Sequence, residues 1–354
     1  MSTTATSTTT LASITRLEDG SLIKSLGPIG DGDGEFHCAF ASAVDTIHDR
    51  LIVTDCNNGR VQVLSSDGAF LFHLTGVFYR PTGVAFDACS ARILVSELDS
   101  DRVQAFSSEH GSVAWSVEPS NDADTNQQQQ PLRRAGVTSI AIDPRGRVYL
   151  CMRSSHQVQV WSREGERLAT FGSRGRQSGE LDHPNAIVID TRHDRVWVCD
   201  THNHRVQAFT RDGEWLLSFG EKGTEAGQFT YPDGIAIDQL GRVIVADTGN
   251  GRLQAFTPDG EYIASLELGY APFSITIDPQ RQGRMIVSVA GATQLLLIDG
   301  TQWLPYWWQV DTHASASKYL KQVVLTMTMI RTLEHTSVFS LMPNELLFEI
   351  FAFL

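Results

Sequence analysis

Apolar residues along this chain come in short runs bounded by turn residues. "RVIVAD" (242–247) and "RLQAF" (252–256) are typical. Such runs are too short for helices and apolar on both faces, which predicts strands covered on both sides. Asp-Gly, Gly-Arg and Asn-Gly pairs separate them, as hairpin turns require. Four runs make a unit: apolar run, Asp, turn, apolar run, Asp, turn, Arg, apolar run, Asp-Gly, apolar run. Each unit therefore predicts four antiparallel strands in a small sheet.

The unit recurs, clearest at 183–229 and 231–266. Weaker copies lie at 43–74, 83–106 and 139–172, with a partial one at 274–300. Their first aspartates are Asp45, Asp87, Asp143, Asp190, Asp238 and Asp278. The longest gap holds "SNDADTNQQQQP", a polar insertion that reads as a surface loop. Four-stranded sheets repeated around an axis make a β-propeller. A solenoid would need distinct capping ends. Residues 19–36 align without gaps on 212–229, so the chain begins in mid-repeat. The N-terminal strand is therefore expected to complete the last blade and close the ring without an open edge. The segment "TQWL" (301–304) competes for the same place.

Within one sequence the copies serve as each other's controls. An acid followed five residues later by arginine occurs at Asp55/Arg60, Glu97/Arg102, Asp200/Arg205 and Asp247/Arg252. The corresponding slots hold Met152/Gln157 and Val289/Gln294 in the other two copies. Acid and arginine are present together or absent together, which predicts structural pairs across the second hairpin turn. In "DTHNHR" (200–205), Asp200, Asn203 and Arg205 fill recurring slots, whereas His202 and His204 fill slots held by Gly249 and Gly251 in the next copy. The two histidines read as turn residues. Zinc needs three or four protein ligands and no third is marked, so no metal site is expected here.

Composition narrows the function classes. The net charge of −13 disfavours nucleic-acid binding, although Arg133, Arg134, Arg174 and Arg176 offer a small basic patch for RNA. The five cysteines are scattered, with no C-x-x-C pair, as expected of reduced thiols in a cytoplasmic or nuclear protein. The stretch "MSTTATSTTT" lacks the features of a signal peptide and reads as a disordered leader over 1–14. No stretch is apolar for long enough to span a membrane. No G-x-S-x-G, HExxH or P-loop spacing occurs.

"HPNAIVID", "VWVCDTHNHRVQAF" and "FGEKGTEAGQF" resemble the NHL repeat family. The resemblance covers about residues 15–300 and implies an all-β, six-bladed propeller with a short helical C-terminal tail. Family members include recognition domains of ubiquitin ligases and a zinc-bearing amidating lyase. The lyase takes histidines from different blades. Here the residue before the blade-opening proline is His183 once, but Arg80, Tyr231 and Ala271 elsewhere. Lactonase-type hydrolases of similar shape use acidic and Asn ligands inside the channel.

After residue 300 come an aromatic segment and an amphipathic helix (301–338). The final stretch, 339–354, resembles the opening helix of an F-box at Leu341, Pro343, Glu345, Leu346, Leu347, Ile350, Phe351 and Leu354. In that family the helix binds a Skp-type adaptor, and a full box is about three times longer. These features together predict a non-catalytic scaffold without cofactor or metal. Its partner is a protein, and it serves as substrate receptor of a cullin-type ubiquitin ligase. The alternative is a propeller enzyme with a channel metal, amidating-lyase-like or lactonase-like.

Overall fold

The computed structural model describes residues 22–119, 136–289 and 294–303. These form six four-stranded antiparallel sheets, each a propeller blade. Blade 4 shows the pattern: strands Ile187–Asp190, Arg195–Asp200, Arg205–Thr210 and Trp215–Phe219 pair in sequence order. Blade 5 repeats it with Pro232–Ile237, Val243–Asp247, Arg252–Phe256 and Tyr262–Glu267. Blade 6 is built from both ends of the domain. Its outer strand is Leu22–Leu26, which pairs antiparallel with Leu295–Asp299. Residues Gly300–Trp303 form a single helical turn rather than a strand, so among the described residues the N-terminal strand alone occupies that edge. The shared blade leaves no free edge where the ring begins and ends.

The core lies between blades rather than within one. Six clusters of buried side chains each draw on two neighbouring blades. Trp197 and Phe209 of blade 4, for example, face opposite sides: Trp197 packs with Val243 and Phe256 of blade 5, and Phe209 with Tyr149 and Val160 of blade 3. This two-sided burial explains the unbroken apolar runs. The linkers between blades are pinned by the same logic. Phe36, Leu181 and Phe229 are buried and bridge back to Ile29, Arg174 and Lys222. Gly220 adopts φ +89°, and a Cβ there would lie 2.3 Å from the Phe229 ring, so only glycine admits this turn.

The first strands of the six blades surround an axial channel of about 440 Å³. Its lining includes Ala43, Val84, Ile140, Ile187, Ile235 and Ile275, with Ser42, Ser139 and Thr276 among the few polar groups. No charged side chain lines it among the described residues. No helix among the described residues is long and apolar enough to cross a membrane. Tail residues Leu341, Pro343, Leu346, Leu347, Ile350, Phe351 and Leu354 lie outside the described residues, as do Arg133 and Arg134.

Candidate functional site at the channel mouth

The acid–arginine slots sit directly opposite one another at the end of each second hairpin: Asp55 faces Arg60, Asp200 faces Arg205, and Asp247 faces Arg252. The arginine Nε lies 2.9 Å from Asp55, 2.7 Å from Asp200 and 2.8 Å from Asp247. Arg102 donates to Glu97 at 2.9 Å. Each guanidinium also caps linker carbonyls, as Arg252 does at Glu225 and Gln228. A recurring glutamine completes the lock: Gln207 and Gln254 each donate both to the acid and to a linker carbonyl. The networks tie each hairpin to the linker before its blade. Their carboxylates accept several donors each and have no capacity left for a substrate.

The face carrying these hairpins also carries residues that occur once. The slot after the blade-opening position is Phe40, Thr82, Thr138, Asn185, Asp233 and Phe273 around the ring. Asn185 lies two residues before the first strand of blade 4, and Asp233 is the second residue of the first strand of blade 5. Asn185 is buried, donates from Nδ2 to the Asp233 carbonyl at 3.2 Å, and lies with Oδ1 3.4 Å from Nη1 of Arg153. Residues from blades 3, 4 and 5 thereby converge at the mouth. No guanidinium forms an ion pair with the Asp233 carboxyl among the described residues. Burial pushes its pKa up to about 6, against the pull of the Thr248 hydroxyl, the Arg153 charge and the Thr201 hydroxyl. Those hydroxyls already donate to the carbonyls of Pro272 and Pro232, which limits the hydrogen bonding they offer an ionised carboxylate. A half-buried acid with hydroxyl neighbours but no ion-pair partner, near a positive group, is a candidate general base.

Beside this mouth lies an imidazole cluster. His183 immediately precedes the blade-opening Pro184, and its Nδ1 is 2.7 Å from Asp182 Oδ1. His202 stacks on His183 with ring centres 4.2 Å apart. His156, from the second hairpin of blade 3, meets His183 edge-on at 4.5 Å. Burial and the neighbouring His183 lower the pKa of both His156 and His202. His204 instead turns to Tyr231, whose backbone N–H it accepts at 3.1 Å. His202 therefore meets a stacked ring, and the donor atoms that converge beside it belong to His156, Asp182 and His183. His183 and Asp182 come from the preceding linker, twenty residues away, and only the fold brings them together.

Sequence reasoning missed Arg153, Asn185 and Asp233. Asn185 and Asp233 do carry a signal, since they depart from Thr and Phe in an otherwise repetitive slot. A comparison among copies hides it, because such a comparison favours what recurs.

Residues 168–291 match the family described as SMP-30/Gluconolactonase/LRE-like region. No curated protein matches the chain. Among solved structures, a gluconolactonase from Xanthomonas campestris superposes with a TM-score of 0.59 at 17% identity, covering 75% of this chain and 88% of that one. A catalytically inactive virginiamycin B lyase from Staphylococcus aureus, solved with quinupristin, gives 0.57 at 12% identity, covering 77% and 82%. A streptogramin B lyase structure gives 0.56 at 13%, covering 74% and 80%. The chain is a six-bladed β-propeller, and the NHL pattern is a related, coarser description of it. These findings correct the expectation of a non-catalytic scaffold and ligase substrate receptor. The matched region carries a lactonase description, the three neighbours are named as enzymes, and the F-box reading gains no support. The physical reason for the error is that copies compared with one another reveal framework, whereas a catalytic group needs to occur only once.

Proposed function

We propose that this propeller is an enzyme that opens lactone-type esters at the channel mouth, with Asp233 as general base and Arg153 as electrophilic stabiliser. The observation that carries this reading is Asp233 itself, a half-buried acid without an ion-pair partner among the described residues, whose pKa partial burial pushes up to about 6. A base with such a pKa is half-ionised near its working pH, where proton transfer is most effective. It would take a proton from water attacking the ester carbonyl. Charge then develops on the carbonyl oxygen, and Arg153, held by Asn185, would supply the opposing charge. Collapse of the adduct breaks the ring C–O bond, and the proton taken up by Asp233 passes to the leaving alkoxide. The channel below is lined mostly by aliphatic side chains.

Lactonase-type propellers are expected to hold a cation on acidic and Asn ligands. Here the ring offers Asp233 and Asn185, but Phe40, Thr82, Thr138 and Phe273 fill the other slots. Asn185 Oδ1 also faces a guanidinium. Two oxygen donors beside a fixed positive charge do not complete a site for a hard cation, which takes six or more oxygens. No step is routed through one.

The test is a panel of aldono- and aryl-substituted lactones followed by acid release. Turnover by the purified chain, with at least a hundredfold loss in Asp233→Asn and in Arg153→Gln, is expected. Full activity in Asp233→Asn would overturn the assignment. The relatedness to lyase structures favours a second outcome of the same base chemistry, proton abstraction with elimination. Products formed in ¹⁸O-water distinguish the two, because only hydrolysis incorporates the label.

A further inference from the structure

We propose that His156, Asp182 and His183 form a binding site for a zinc-class divalent cation, off the channel axis at the junction of blades 3 and 4. One donor atom from each lies within 4.8 Å of the others. His156 Nδ1 is 3.3 Å from Asp182 Oδ1, and His183 Nδ1 is 2.7 Å from the same oxygen. In a tetrahedral zinc site with bonds of about 2.0–2.2 Å, neighbouring donors stand roughly 3.3–3.5 Å apart. The first pair is already at that spacing. The second is closed by a shared proton and opens by about 0.6 Å when a metal replaces that proton. Two imidazoles and one carboxylate are the borderline donor set that zinc prefers.

Comparison with the other junctions shows what the fold alone requires. At each of three junctions the last residue of a second hairpin accepts the N–H of the residue that leads into the next blade. These are His156 from His183, His204 from Tyr231, and Asp101 from Gly136. That latch accounts for an acceptor at His156. It does not account for Asp182 and His183, because the matching dipeptides elsewhere are His37-Cys38, Tyr79-Arg80, Ala135-Gly136, Thr230-Tyr231 and Tyr270-Ala271. An acid, an imidazole and a facing imidazole coincide at one junction of the six. The latch also sets a cost, since metal binding takes the His156 lone pair from the His183 N–H. His202 stacks flat on His183 rather than converging with it, so it shields one side of the site and leaves a fourth position for water. Nearby charges work both ways: Asp182 favours a cation, while Arg174 and Arg153 oppose it.

The site stands apart from the proposed lactone chemistry, and its test reads binding rather than turnover. The full chain, stripped with chelator, is titrated with Co²⁺ and then Zn²⁺. The expected result is one ion per chain with the visible absorption of four-coordinate cobalt. Asp182→Asn and His183→Gln should each weaken Zn²⁺ at least tenfold while far-UV circular dichroism stays native. His204→Ala, which removes a latch without the acid–imidazole pair, should leave affinity unchanged. Absence of stoichiometric metal in the folded wild type, or retention of wild-type affinity in the Asp182→Asn/His183→Gln double variant, would overturn the proposal.

Discussion

Asp247 and Asp233 lie fourteen residues apart in one blade, and their surroundings differ in kind. Asp247 accepts from the Thr230 N–H at 2.7 Å, from Asn250 and Arg252 at 2.8 Å each, and from Gln254 at 3.0 Å. Asp233 has two threonine hydroxyls and a more distant guanidinium charge. The first acid is supplied entirely by its own hairpin and the linker beneath it, so the same lock recurs in four of the six copies of that hairpin. The second is left short of donors. A carboxylate whose oxygens are taken up by four donors is framework, and one short of donors is available for proton transfer.

The sharpest way to break this comparison is catalytic. Asp233→Asn is expected to lose at least a hundredfold in kcat/KM without losing stability, whereas Asp247→Asn should lose stability first. The activity of the wild type should fall on the acid side with a midpoint near pH 6, as Asp233 takes up its proton. A flat profile through that range would remove Asp233 from the reaction.

Stability comes next. Arg252→Ala strands a fully buried carboxylate, at a cost on the order of 3–5 kcal/mol. Adding Asp247→Ala should return part of that loss, so denaturant midpoints of the two singles and the double will not add. Additive values would show that the pair is not coupled.

Asp233 should behave with the opposite sign. Its folded pKa of about 6 lies above the ordinary 3.8, so the native state holds the proton more tightly than the unfolded chain between those values. Stability is then fullest below about pH 4 and declines as pH rises through 6. Asp233→Asn is expected to be more stable than wild type at pH 7.5, by on the order of 1–3 kcal/mol, and equal to it near pH 4. Melting curves at the two pH values decide this. The smallest effect is predicted for Gln254→Ala, which removes three hydrogen bonds but leaves the ion pair, at roughly 1–2 kcal/mol.

Much of the framework is legible in the amino-acid sequence. The alternation of apolar runs and turns yields the blades, and the match of residues 19–36 to 212–229 anticipates the N-terminal strand in blade 6. Glu97/Arg102 and its three counterparts are legible as pairs because hairpin partners stay five residues apart in every copy. The glutamines at 62, 104, 207 and 254 recur just as regularly and carry the same signal.

What the amino-acid sequence determined by itself is therefore whatever depends on short chain separation: strands, hairpins, linker glycines and the acid–arginine locks. Its repetition multiplies each such signal across the copies. What only the tertiary structure decided is the company of residues that occur once. Arg153, Asn185 and Asp233 come from three blades, and His156 meets Asp182 and His183 across a junction. Their proximity is set by the ring in which blades pack through large apolar faces, and no local spacing along the chain encodes it.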